Sequence, residues 1–79
     1  MKNKSCSDFS KKICIKILLE RRKRKLSQEQ LASLSNLSCN TIGKLERGET
    51  SPSIDTIEKV ANAFGMTFQE LTDVTKIDL

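Results

Sequence analysis

An all-α fold, a compact bundle of five short helices, is predicted by three features of this 79-residue sequence. Apolar residues recur three and four positions apart rather than alternating. Ser or Thr precedes most of these runs, and at Ser27 and Thr67 a Gln or Glu follows three residues later, as a capping box requires. β-branched runs and hairpin turn signals are nearly absent.

Taken in order, residues 1–8 are polar and lack periodicity, and read as a flexible basic arm. The first helix is placed at residues 8–25, capped by Asp8 or Ser10. Phe9, Ile13 and Ile17, four apart, mark its core face. Ile15, Leu18 and Leu19 add apolar surface on neighbouring faces, to be covered by a C-terminal segment or by a second copy. The helix ends in Arg21-Arg22-Lys23-Arg24-Lys25, cations at the negative pole of its dipole, and Leu26 returns to the core.

The second helix opens at Ser27, with Gln30 completing the box, and turns Leu31, Ala32 and Leu34 inward. Asn36 tolerates positive φ and makes the turn, and Leu37 anchors it. Ser38 caps a third helix that runs to about Glu46, with Ile42 and Leu45 inward and Gly48 as its stop. Pro52 breaks the chain, and Ser53 opens a fourth helix over residues 53–64. Its stripe is Ile54, Ile57, Val60, Ala61 and Phe64, and Gly65 stops it. Thr67 and Glu70 cap a short fifth helix with Phe68 and Leu71 inward. The globular domain is thus residues 9–74, with a tail at 75–79.

Charge is distributed unevenly behind the net +4. Residues 1–25 hold ten Lys/Arg against Asp8 and Glu20, a net of +8, and the remainder carries −4. A basic end of this density attracts polyanions, with binding that weakens as salt rises. Cys6, Cys14 and Cys39, in a chain without His, match neither zinc nor CxxC spacing and read as reduced thiols, with no metal and no cofactor expected. No apolar run approaches the roughly 18 residues that span a bilayer, and no signal-peptide pattern opens the chain, so a cytoplasmic protein is expected. Without His, a nucleophile–base pair or a phosphate loop, no enzyme is expected.

The outward face of the third helix is informative. It is assigned Cys39, Asn40, Gly43, Lys44 and Arg47: two cations, an amide, small residues and no carboxylate. A helix entering the DNA major groove needs such a set, amides and cations for base edges and phosphates, small residues for close approach. Two short helices joined by a tight turn, the second a reader, form a helix-turn-helix. A protein-interaction module that keeps this fold without specific DNA binding is the alternative, and it calls for an apolar or acidic outward face.

Ser27-Gln28-Glu29-Gln30-Leu31-Ala32, Asn36-Leu37-Ser38, Ile42-Gly43-Lys44-Leu45-Glu46-Arg47-Gly48 and Ser51-Pro52-Ser53 together resemble the phage-repressor/Cro (XRE-type) helix-turn-helix family, over about residues 13–71. The resemblance implies a lambda-repressor-like DNA-binding domain and a dimeric transcriptional regulator on double-stranded DNA. It implies a pseudo-palindromic operator with half-sites roughly 34 Å apart; the 79 residues leave no room for a ligand domain, so no small-molecule ligand is expected, and the short apolar runs imply no membrane. Carried over by position, Gln28 matches a phosphate contact that braces the reader. Ser38, Cys39 and Asn40 match positions that reach base edges, Asn being suited to adenine. Lys44, one turn on, matches another contact position; Thr41 can touch a thymine methyl or a phosphate, and Arg47 joins the DNA contacts from its place on the outward face. Arg21 and Glu46 match a structural ion pair. Asn36 stands where the family usually has Gly. In the family the last helix makes the two-fold contact, which makes Met66, Phe68, Val74 and Ile77 candidates for a dimer seam or for the monomer core.

Overall fold

Five hydroxyl side chains start five helices in the computed structural model, which describes residues 7–78. The helices are α1 (Asp8–Lys23), α2 (Gln28–Ser35), α3 (Cys39–Glu46), α4 (Ile54–Phe64) and α5 (Phe68–Thr72). Ser7, Ser27, Ser38, Ser53 and Thr67 each accept a hydrogen bond from the amide three residues on, at 3.0–3.1 Å. Each bond satisfies an N–H that the helix itself leaves open. At α2 and α5 the side chains of Gln30 and Glu70 return the bond to the cap amide, closing the expected boxes. The α1 cap is Ser7, rather than Asp8 or Ser10. The rest of the basic arm, with Lys2, Lys4 and Cys6, lies outside the described residues, as does Leu79.

Four of the five helices end alike. Beyond α1, α2, α3 and α4 one residue turns left-handed: Lys25 (φ 58°), Asn36 (59°), Gly48 (72°) and Gly65 (71°). The next amide then bonds a carbonyl five residues back, for example Leu37 N–H to Ala32 at 2.9 Å and Glu49 N–H to Lys44 at 2.9 Å. These bonds satisfy carbonyls that the last turn would leave open. Asn36, Gly48 and Gly65 sit where the sequence places the turns. Lys25 was not expected there, and it ends α1 at Lys23 rather than at residue 25. A left-handed L-residue costs roughly 1–2 kcal/mol, of which glycine's greater freedom in the unfolded chain takes back part. Lys25→Gly is therefore expected to raise the melting temperature by a few degrees, read by calorimetry.

One core draws on every helix. Ile13 and Ile17 of α1, Leu31 and Ala32 of α2, Ile42 of α3, Ile57, Val60, Ala61 and Phe64 of α4, and Leu71 of α5 are buried together with Val74. Three residues assigned to core faces are instead exposed: Phe9 at 54%, Leu34 at 58% and Ile54 at 67%. Phe9 falls in the first turn of α1, at the same four-residue spacing as Ile13 and Ile17 but ahead of the part of that stripe that is buried. Leu34 lies off the stripe formed by Leu31, Ala32 and Ser35. Ile54 is the first residue of α4, ahead of the stripe that begins at Ile57. The C-terminal apolar residues serve the monomer: Val74 is in the core, and Met66, Phe68 and Ile77 are half-buried against it. No helix of the described residues is long and apolar enough to cross a membrane.

Candidate nucleic-acid interface

The α2–α3 pair is held to the bundle by a carboxylate at the end of α3. Glu46, 4% exposed, takes both oxygens' bonds from Arg21 of α1, 12% exposed: Nε donates to Oε2 at 2.6 Å and Nη2 to Oε1 at 3.0 Å. The third guanidinium nitrogen of Arg21 donates to the Leu26 carbonyl at 2.7 Å. The hydrogen bond to Glu46 raises the Arg21 pKa above its ordinary value. Gln28, the first residue of α2, donates its side-chain amide to the same Glu46 Oε1 at 2.9 Å. One buried carboxylate thus ties together the first helix and both helices of the turn, in the fork geometry that makes Arg–carboxylate pairs directional.

The basic run at the end of α1 is largely engaged within the molecule. Arg24 bonds the Glu20 carboxylate and donates to the Phe64 carbonyl at 3.1 Å, with its guanidinium 4.7 Å from the centre of the Phe64 ring. Lys23 reaches Glu20 at 3.3 Å. Burial pushes the Glu20 carboxyl up, but the hydrogen bonds from Arg24 and Lys23 outweigh it and hold it below its ordinary value. Arg22 and Lys25 remain exposed. The charge excess of the sequence is therefore in part a set of braces.

The outward side of α3 carries Cys39, Asn40 and Lys44, all exposed. Ser38 and Thr41 sit beside them, but their hydroxyls bond each other at 2.8 Å while Ser38 also caps the helix. Gly43, expected on this face, is buried. What covers it is Arg47, one turn on: a Cβ at Gly43 would lie 3.0 Å from Arg47 Nη1 and 3.8 Å from Gln28 Oε1. Long helical side chains lean back over the preceding turn, and the missing Cβ gives Arg47 its seat. Arg47 is further held by Glu49, Nε to Oε2 at 2.6 Å and Nη2 to Oε1 at 3.3 Å. The bond from Arg47 keeps the Glu49 carboxyl below its ordinary value. The sequence reading of this face as free of carboxylates missed Glu49. The signal was present, a Glu two residues after an Arg across a glycine stop.

Gly43→Ala is expected to raise the melting temperature. Alanine gains about 1 kcal/mol of helix propensity in a helix interior. The contact it meets is the tip of a flexible side chain, which moves at small cost. Calorimetry of the variant checks this.

The recess beside Arg47, between α1 and the end of α3, is lined by Lys11, Cys14, Ile15, Glu46 and Gly48. Cys14 is buried there with its Sγ 3.8 Å from the Thr50 carbonyl, whereas Cys39 is exposed on the outward side of α3.

Residues 15–71 match the family model described as Helix-turn-helix. The chain is similar to the control protein C.BamHI of Bacillus amyloliquefaciens, 40% identical over 55 residues, which are 70% of this chain and 68% of that protein. It is also similar to the HTH-type transcriptional regulator DdrOP3 of Deinococcus deserti, 31% identical over 62 residues. That match takes in 78% of this chain, which spans about half (48%) of the regulator's length. Among solved structures, the restriction-modification controller protein C.AhdI of Aeromonas hydrophila superposes with a TM-score of 0.74 at 36% identity, covering 81% of this chain and 96% of that one.

Proposed function

Because this chain belongs to the XRE-type helix-turn-helix family, we propose that it is a transcriptional regulator that binds double-stranded DNA as a homodimer and reads a pseudo-palindromic operator with α3. The observation that carries this is the outward side of α3, where exposed Asn40, Lys44 and Cys39 stand on a helix braced from below by Arg21, Gln28 and Glu46. Asn40 presents an amide that can pair with the N6 and N7 of adenine, and Lys44, one turn on, reaches a guanine edge or a phosphate. Ser38, at the start of the reader, joins Asn40 at the base edges, Thr41 touches a thymine methyl or a phosphate, Gln28, at the start of α2, contacts the backbone, and Arg47 grips a phosphate at the far end. Such backbone contacts fix register while the exposed trio specifies sequence. Two-fold docking sets the half-sites roughly 34 Å apart. The similarity to proteins named as control proteins and HTH-type regulators supports this assignment.

Selection from a random duplex pool at near-physiological salt tests it, with wild type and Asn40→Ala/Lys44→Ala side by side. Enrichment of an inverted repeat by the wild type alone is the expected result. Equal, salt-sensitive binding of every duplex by both proteins would show a polyanion patch without a reader.

A further inference from the structure

Glu49 has no part in the interface as assigned so far, yet its carboxylate lies against the guanidinium of Arg47. We propose that Glu49 sets the DNA affinity of this interface by occupying, in the free protein, the Arg47 edge that takes a backbone phosphate, so that DNA binds by exchanging a carboxylate for a phosphodiester. The inference rests on the proposal that the α3 face meets DNA.

Three observations carry it. The first is shape. Arg47 gives Glu49 its Nε and Nη2, at 2.6 and 3.3 Å, to two different oxygens. A phosphodiester presents two acceptor oxygens in a comparable fork, so carboxylate and phosphate compete for one edge. The second is placement. Glu49 is not a side chain that happens to swing near: its amide is fixed to the Lys44 carbonyl by the helix stop. The same position after α1, α2 and α4 holds Leu26, Leu37 and Met66, each packed against the core. Only after α3 does it hold an acid. Arg47 lies back over Gly43, on the side of the stop where Glu49 meets it. The third is exchangeability. Both side chains are about half exposed, at 55% and 51%. Exposed ion pairs are weak, so this one yields to a phosphate that arrives with the rest of the interface behind it. Lys44 is the other charge acting on Glu49 and stays available to DNA whichever partner Arg47 holds.

The test is a double-mutant cycle read by fluorescence anisotropy on one random-sequence duplex and on the selected operator. Proteins are wild type, Glu49→Gln, Arg47→Ala and the double variant, each checked for an unchanged helical spectrum. Glu49→Gln is expected to tighten binding about two- to five-fold in the wild-type background, as release of an exposed pair allows. In the Arg47→Ala background it is expected to change little. An equal gain in both backgrounds would mean that Glu49 merely repels DNA, and no gain in either would mean that Arg47 exchanges nothing; each overturns the proposal. An Asn40→Ala/Lys44→Ala control separates the two levels. If it loses operator affinity while the cycle shows no coupling, only the exchange fails. If wild type binds no duplex, both fail.

Discussion

Arg21→Ala is expected to lower the melting temperature by at least about 10 °C, whereas Arg22→Ala lowers it by about 1 °C or less. The two arginines are neighbours in sequence and both end α1, yet their surroundings differ completely. Arg21 fills all three guanidinium nitrogens, two on Glu46 and one on the Leu26 carbonyl. Removing it leaves Glu46, whose side chain is 4% exposed with Arg21 in place, only the Gln28 amide as a partner. Breaking one side of such a pair costs about 3 kcal/mol or more, because the partner stays buried and uncompensated. In a domain of this size each kcal/mol moves the transition by roughly 4–8 °C. Arg22 has an exposed side chain. Arg21→Lys keeps the charge but not the fork and is expected to fall between the two. Calorimetry on the three variants decides the matter; equal transitions for Arg21→Ala and Arg22→Ala would refute it.

Asn40→Ala is expected to weaken operator binding by about ten- to a hundred-fold while leaving binding to unrelated duplex nearly unchanged. A bidentate side-chain-to-base pair discriminates by roughly 1–3 kcal/mol. Lys44→Ala is expected to behave differently if its contact is a phosphate, weakening operator and unrelated duplex alike. Neither variant should unfold the domain, since both side chains are exposed on a helix whose core contacts are Ile42 and Leu45. Titration of each against both duplexes gives the two ratios. Loss of affinity for both duplexes with Asn40→Ala would remove it from the set of base readers.

Much of the fold was legible because its boundaries are written locally. A hydroxyl before a helix and a left-handed residue after it act within a few positions, and Ser27, Ser38, Ser53, Thr67, Asn36, Gly48 and Gly65 could all be placed without knowing what the helices pack against. Lys25 escaped because lysine has no preference for positive φ, so the Schellman turn there shows only in the backbone. Spacing also told less about burial than about helicity. Phe9, Leu34 and Ile54 follow a helical period, but which part of a stripe is covered depends on neighbours distant in sequence. The Arg21–Glu46 contact spans 25 residues, and only family resemblance pointed to it. On α3, Asn40 and Lys44 were placed outward correctly. Gly43 was not, because its cover is the Arg47 side chain folding back one turn, a contact that residue type alone does not reveal.

Helix starts fixed by their own hydroxyls carry a consequence for how such a protein can change its target. Each of the five boundaries is specified within four residues, and α3 is anchored through Ile42, Leu45 and Glu46, none of which faces outward. The positions at Cys39, Asn40 and Lys44 are therefore free of any scaffolding duty. In the proposed role they form a small alphabet of three letters, open to rewriting while the backbone carrying them stays put. On that proposal a new address on the genome is reachable by single substitutions, each tested against an already folded molecule.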